Sequence, residues 1–115
     1  MSLPEQLCSA LTALPGVEAS ASRVGSRSNA AWSVAGREFA HLHADHLLDL
    51  RLPRALQADL RSDARAHFRK SRSEWIEFEF HTPEDVALAG ALARAAWAAA
   101  KDVRLDTGPA RKVKP

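Results

Sequence analysis

Residues 74–80 read EWIEFEF, a strict alternation in which Ile76, Phe78 and Phe80 oppose Trp75, Glu77 and Glu79. Successive side chains of a strand point to opposite faces, so this segment is a strand with one face in a core and the other left polar. Two residues later comes TPEDVALAGALARAAWAAAK. Thr82 suits the N-cap, Pro83 the first turn, and Glu84 and Asp85 the positive end of the helix dipole. Val86, Ala89, Leu92, Ala93, Ala96 and Trp97 form one apolar stripe whose alanines permit close approach to a sheet. A half-buried strand running into such a helix restricts the chain to a sheet with helices laid on one side.

The rest of the sequence is consistent with that plan. SLPEQLCSALTALPG places Ser2 three residues before Glu5, a capping-box spacing. Leu3, Leu7, Leu11 and Leu14 then recur at helical intervals until Pro15-Gly16. Cys8, beside that stripe, is read as a small boundary residue. VEASASRV is a weak strand, GSRSN a turn, and AAWSVAGREFAHLH two strand segments with a bend or hairpin at Ala35-Gly36. LLDLRL sets Leu48, Leu50 and Leu52 against Asp49 and Arg51. PRALQADL is a short helix, and RSDARAHFRKSRS a loop or irregular edge. Trp32 and Trp97 are expected as core aromatics. The expected fold is α+β: a single antiparallel sheet with N- and C-terminal helices packed on one face, the other face partly open. Residues 1–106 form one domain, and residues 107–115 a basic flexible tail.

Composition narrows the function classes. With 115 residues and 46% hydrophobic side chains the chain can bury one core. No apolar run is long enough to cross a bilayer. The first residues carry an acid and no basic region, unlike a secretory leader. Cys8 is the only cysteine, so a disulfide within the chain and a cysteine zinc site are excluded. These features point to the cytoplasm, and heavy use of Ala, Arg and Leu to a GC-rich genome. A net charge of +2 does not require a nucleic-acid partner. Seven basic residues in 51–72 face five acids in 74–85. The simplest account is a basic loop lying against an acidic strand, with nucleic-acid binding at most weak. Phe68 is the one stacking candidate in the basic run.

HLHADH, residues 41–46, matches the H-x-H-x-D-H zinc motif of the metallo-β-lactamase superfamily. That motif needs more His and Asp ligands downstream. Only His67 and His81 remain here, and a strand rather than a helix follows. His41 and His43, two apart on a strand, point the same way and could chelate an ion. No stoichiometric zinc is expected, and no cofactor.

Alternation places Ala40, Leu42, Leu48, Leu50, Ile76, Phe78 and Phe80 toward the helices. It places Phe39, His41, His43, Asp49, Trp75, Glu77 and Glu79 on the open face. Imidazoles and carboxylates beside an aromatic platform would suit an aromatic enol. His41, His43 and Glu77 are the candidates for proton transfer, and Phe39, Asp49, Trp75 and Glu79 for holding the molecule. Asp45 and His46 are read as turn residues, and His81 as an ordinary residue before the helix cap.

GREFAHLHADHLLDLRLP, with the later SEWIEFEF and the final helix, resembles the luciferase-domain family, the small domain shared with fungal luciferases. Arg37, Glu38, Ala40, His41, His43, His46, Glu74 and Trp75 carry the resemblance. It implies oxidation of a hydroxylated α-pyrone by O2 without an established metal or organic cofactor, and it adds His67 to the substrate-binding set. Bacterial members are mostly short, stand-alone chains, and the resemblance implies a chain of that kind. PGVE, the V-x-G-[KR]-x-F hairpin and the Trp strand are also similar to the MmcQ/YjbR-like (double-wing) domains. That likeness implies the alternative of a nucleic-acid-binding or partner-binding module without catalysis.

Overall fold

The computed structural model describes residues 2–24, 27–69 and 73–106. The tip of the expected GSRSN turn, at Gly25-Ser26, and the basic tail of residues 107–115 lie outside the described residues. The order is α1 (Leu3–Thr12), β1 (Val17–Val24), β2 (Arg27–Val34), β3 (Arg37–Ala44), β4 (Leu47–Arg51), α2 (Arg54–Gln57) continued by one 3-10 turn, β5 (Ala66–Phe68), β6 (Trp75–Glu79) and α3 (Pro83–Asp106). All six strands pair antiparallel in one sheet, in the order β1-β2-β3-β4-β6-β5.

The two long helices start as the sequence predicts. Ser2 and Glu5 form a complete capping box at α1. Thr82 Oγ1 accepts from the Asp85 amide at α3. Helix α3 lies across β2, β3 and β4, and α1 fills the space between α3 and the β1–β2 end. Leu7, Leu11, Leu48, Leu50, Leu52, Ile76, Phe78, Phe80, Ala89, Ala93 and Ala96 are buried between sheet and helices. Both expected core tryptophans are buried and their indole nitrogens satisfied. Trp32 donates to Thr12 Oγ1 at 3.0 Å and Trp97 to the Pro15 carbonyl at 2.9 Å. These two bonds tie the α1 end to the sheet and to α3. Cys8 is half-buried beside the core, and burial raises its thiol pKa.

Strand β3 departs from simple alternation. Ala35 and Gly36, both at positive φ, make the two-residue hairpin turn from β2. Register then shifts twice. Trp32 pairs with Ala40 and Ser33 with Glu38, so Phe39 is an extra residue. Leu42 pairs with Leu48 and Ala44 with Leu47, so His43 is a second one. A bulge resets the face that each following or preceding residue occupies. Phe39 is accordingly 0% exposed, in the core beside Ala40. The expectation that Phe39 shares the open face with His41 is therefore corrected. The bulge turns its ring under the helices and moves Glu38 onto the side of His41.

The expected short helix is a single α-turn followed by a 3-10 turn. The basic segment read as a loop or irregular edge contains β5, three residues long, against β6. Among the described residues no helix is long and apolar enough to cross a membrane.

Candidate functional site

Strand pairing assembles the open face. His41 pairs with Asp49, Asp49 with Glu77, and Glu77 with His67, a row across β3, β4, β6 and β5. Trp75 lies two pairs along, opposite Arg51 and so on the same face. The row contains three of the residues that alternation selects for this face, His41, Asp49 and Glu77, together with His67.

Asp49 is its centre. It is 2% exposed, although it stands on the uncovered side of the sheet. Its Oδ2 lies 2.8 Å from His41 Nε2, 3.7 Å from His43 Nδ1 and 3.3 Å from Arg69 Nη2. Its Oδ1 is buried and has no hydrogen-bond partner among the described residues. Most buried carboxylate oxygens are satisfied, so this one stands out as an acceptor able to take a further donor or a cation.

His41 is held at both ring nitrogens. Nδ1 faces Glu38 Oε2 at 2.8 Å while Nε2 faces Asp49. Carboxylates only accept, so both nitrogens donate and the ring is an imidazolium in this geometry. The His41 pKa is raised, chiefly by the Asp49 hydrogen bond, with Glu38 adding to it and partial burial opposing it. His43, the extra residue of the second bulge, is half exposed and only loosely tied to Asp49. The Trp75 ring lies 5.7 Å from the His41 ring, tilted by 43°.

Arg69 bridges Asp49 and Glu77, each at 3.3 Å. His67 reaches Glu79, at 3.2 Å, rather than its direct partner Glu77. The structure thus brings His41, His43, Asp49 and Trp75 together, puts Glu77 beside them through Arg69, and sets His67 and Glu79 farther along the edge. Sequence reasoning missed Glu38 and Arg69 as members of the site. Glu38 is three residues from His41, a spacing that alternation assigns to the opposite face, and only the bulge reverses it. Arg69 carried the general signal of a basic segment facing an acidic strand.

The turn residue His46 and His81, before the helix cap, stack on each other, 4.8 Å between ring centroids, and His46 Nδ1 donates to the Phe80 carbonyl at 3.1 Å. Three arginines of the basic segment are matched within the chain: Arg51 with Glu74, Arg65 with Asp63 and Asp85, and Arg69 as above. Phe68 is half-buried with Arg61 over its ring. A small cleft of ≈ 30 Å³, about one water in size, lies elsewhere, between Arg37, Arg51, Glu74 and the end of α3. The His41 face is an open surface by comparison.

A single sheet with helices on one side and a charged, histidine-bearing row on the other defines a small α+β domain. The family model of the luciferase domain matches residues 36–96, from the β2–β3 turn through most of α3. That is more than half of the chain, and the protein belongs to the luciferase domain family. No curated protein and no solved structure gives a significant match.

Proposed function

We propose that this luciferase-domain protein binds a small aromatic or enolic molecule on the open sheet face, over the row from His41 to His67. The observation that carries the reading is the Trp75 ring beside a His41 imidazole clamped between Glu38 and Asp49. An aromatic side chain next to a fixed positive ring offers a stacking surface and a counter-charge for an enolate oxygen. His43 is the imidazole with an accessible edge, so it accepts the enol proton while His41 stabilises the oxyanion that remains. Glu77, held by Arg69, borders the same surface. The enolate so formed is electron-rich at carbon, the form required for oxygenation without a cofactor.

The test is a calorimetric and thermal-shift screen of α-pyrones, flavonoids and simple phenols against the chelator-treated chain. Trp75→Ala should weaken any hit about tenfold, the worth of one aromatic contact. His43→Ala should weaken it while shifting stability by no more than about 0.5 kcal/mol. A hit indifferent to both substitutions, or a screen without hits, removes the reading.

A further inference from the structure

We propose that His41, His43 and Asp49 form a binding site for one divalent first-row transition-metal ion on the open face. Along the chain, HLHADH lacks the distal ligands of the zinc hydrolases it matches. Strand pairing supplies a ligand that the linear motif does not count, because β4 sets Asp49 directly across from His41.

Three observations carry the inference. The first is distance. One ligand atom from each residue lies within 4.8 Å of the others, with separations of 2.8 and 3.7 Å to Asp49 Oδ2. Ligands about 2.0–2.1 Å from a tetrahedral ion stand roughly 3.3 Å apart, between those two values, so small rotations complete the set. The second is the buried Asp49 Oδ1, which has no partner among the described residues although its residue is only 2% exposed. The third is charge. Glu38, Asp49 and Glu77 bring three carboxylates to one patch, where Arg69 is bound to Asp49 and Glu77. A divalent cation takes over at Asp49 from the His41 proton and Arg69, two positive charges for two. Two imidazoles and one carboxylate suit zinc, iron or cobalt better than magnesium or calcium, and three protein ligands leave positions open to solvent.

The inference does not rest on the aromatic ligand proposed above. The ion and the enol proton compete for His43, and the ion also displaces the proton that His41 holds between Glu38 and Asp49. A loaded site would offer coordination to an enolate oxygen in place of proton acceptance.

Untagged full-length chain, stripped with chelator, is titrated with Co2+ by visible absorption and with Zn2+ by calorimetry. One equivalent should bind, giving a cobalt spectrum of low coordination number that zinc abolishes. His41→Ala, His43→Ala and Asp49→Asn should each weaken binding about 100-fold or more, since loss of a group merely behind a ligand already costs about 10- to 100-fold. Arg69→Gln should tighten binding, and His81→Ala, at the separate His46 stack, should leave it unchanged. His43 is half exposed, so its variant keeps the fold and decides the matter if Asp49→Asn does not. Absence of binding, or a site that survives loss of His43, overturns the proposal.

Discussion

Asp49 is buried not by the helices but by its own polar neighbours, His41, His43 and Arg69. Removing a charge so placed strands its partners, and a fully buried pair can lose 3–5 kcal/mol, roughly, in that way. Here each main partner keeps a second carboxylate, Glu38 for His41 and Glu77 for Arg69. We therefore expect Asp49→Ala to destabilise the chain by only about 1–3 kcal/mol in urea unfolding. A loss below about 0.5 kcal/mol would mean that the network contributes nothing to the fold. Much of this network was legible in the sequence. Period-two alternation in LLDLRL and EWIEFEF puts Asp49, Trp75 and Glu77 on one face, and antiparallel pairing of neighbouring strands does the rest. The exchange of Phe39 for Glu38 on that face was not legible. A bulge adds one residue without a signature in hydrophobic pattern, and everything on its far side changes face.

At the scale of elements, the β2–β3 turn holds Ala35 at φ 54°, a region that favours Gly, Asn and Asp. Ala35→Asn would place Asn-Gly in a two-residue hairpin, and the expected gain is about 0.5–1 kcal/mol, read as a higher melting temperature. An unchanged or lower value would show that the turn is not strained by its alanine. The short edge strand β5 is fastened differently. Arg65 donates to Asp63 at 2.7 Å and to Asp85 of α3 at 2.7 Å, joining the segment before β5 to the start of α3. Hydrogen bonds from the Arg65 side chain and amide lower the Asp63 pKa to about 2, and Asp85 is lowered by the His81 amide and Arg65. A depressed carboxylate pKa contributes stability above the unfolded value near 4, which is lost as pH falls toward the folded value. Stability should therefore decline between about pH 4 and pH 2, and Asp63→Asn should flatten that decline. An identical acid profile in the variant would sever the clamp from acid stability. Sequence could not delimit β5, because three residues with a histidine at the centre carry too little alternation to count as a strand. The long terminal elements were legible because caps and stripes repeat their message over many residues.

Over the whole molecule, one sheet face is closed by α1 and α3 and the other carries the charges. The net charge of +2 gives no direct measure of how many cations a polyanion would meet. Arg51, Arg65 and Arg69 already hold carboxylates, so a phosphate must displace an existing ion pair at each one. Each phosphate contact contributes about −0.9 to the slope of log affinity against log salt on duplex DNA. With these three cations of the basic segment already engaged, we expect fluorescence anisotropy to show only micromolar or weaker, sequence-indifferent binding, with a slope no steeper than about −3. That weak affinity should rise when Glu77→Gln removes one of the two carboxylates that hold Arg69, because the substitution loosens a cation on the same face that carries Trp75. Sequence-selective binding that persists at physiological salt would instead favour the nucleic-acid module that the double-wing likeness implies. The His41 row would then be a set of structural ion pairs beneath a polyanion rather than a surface for a small molecule.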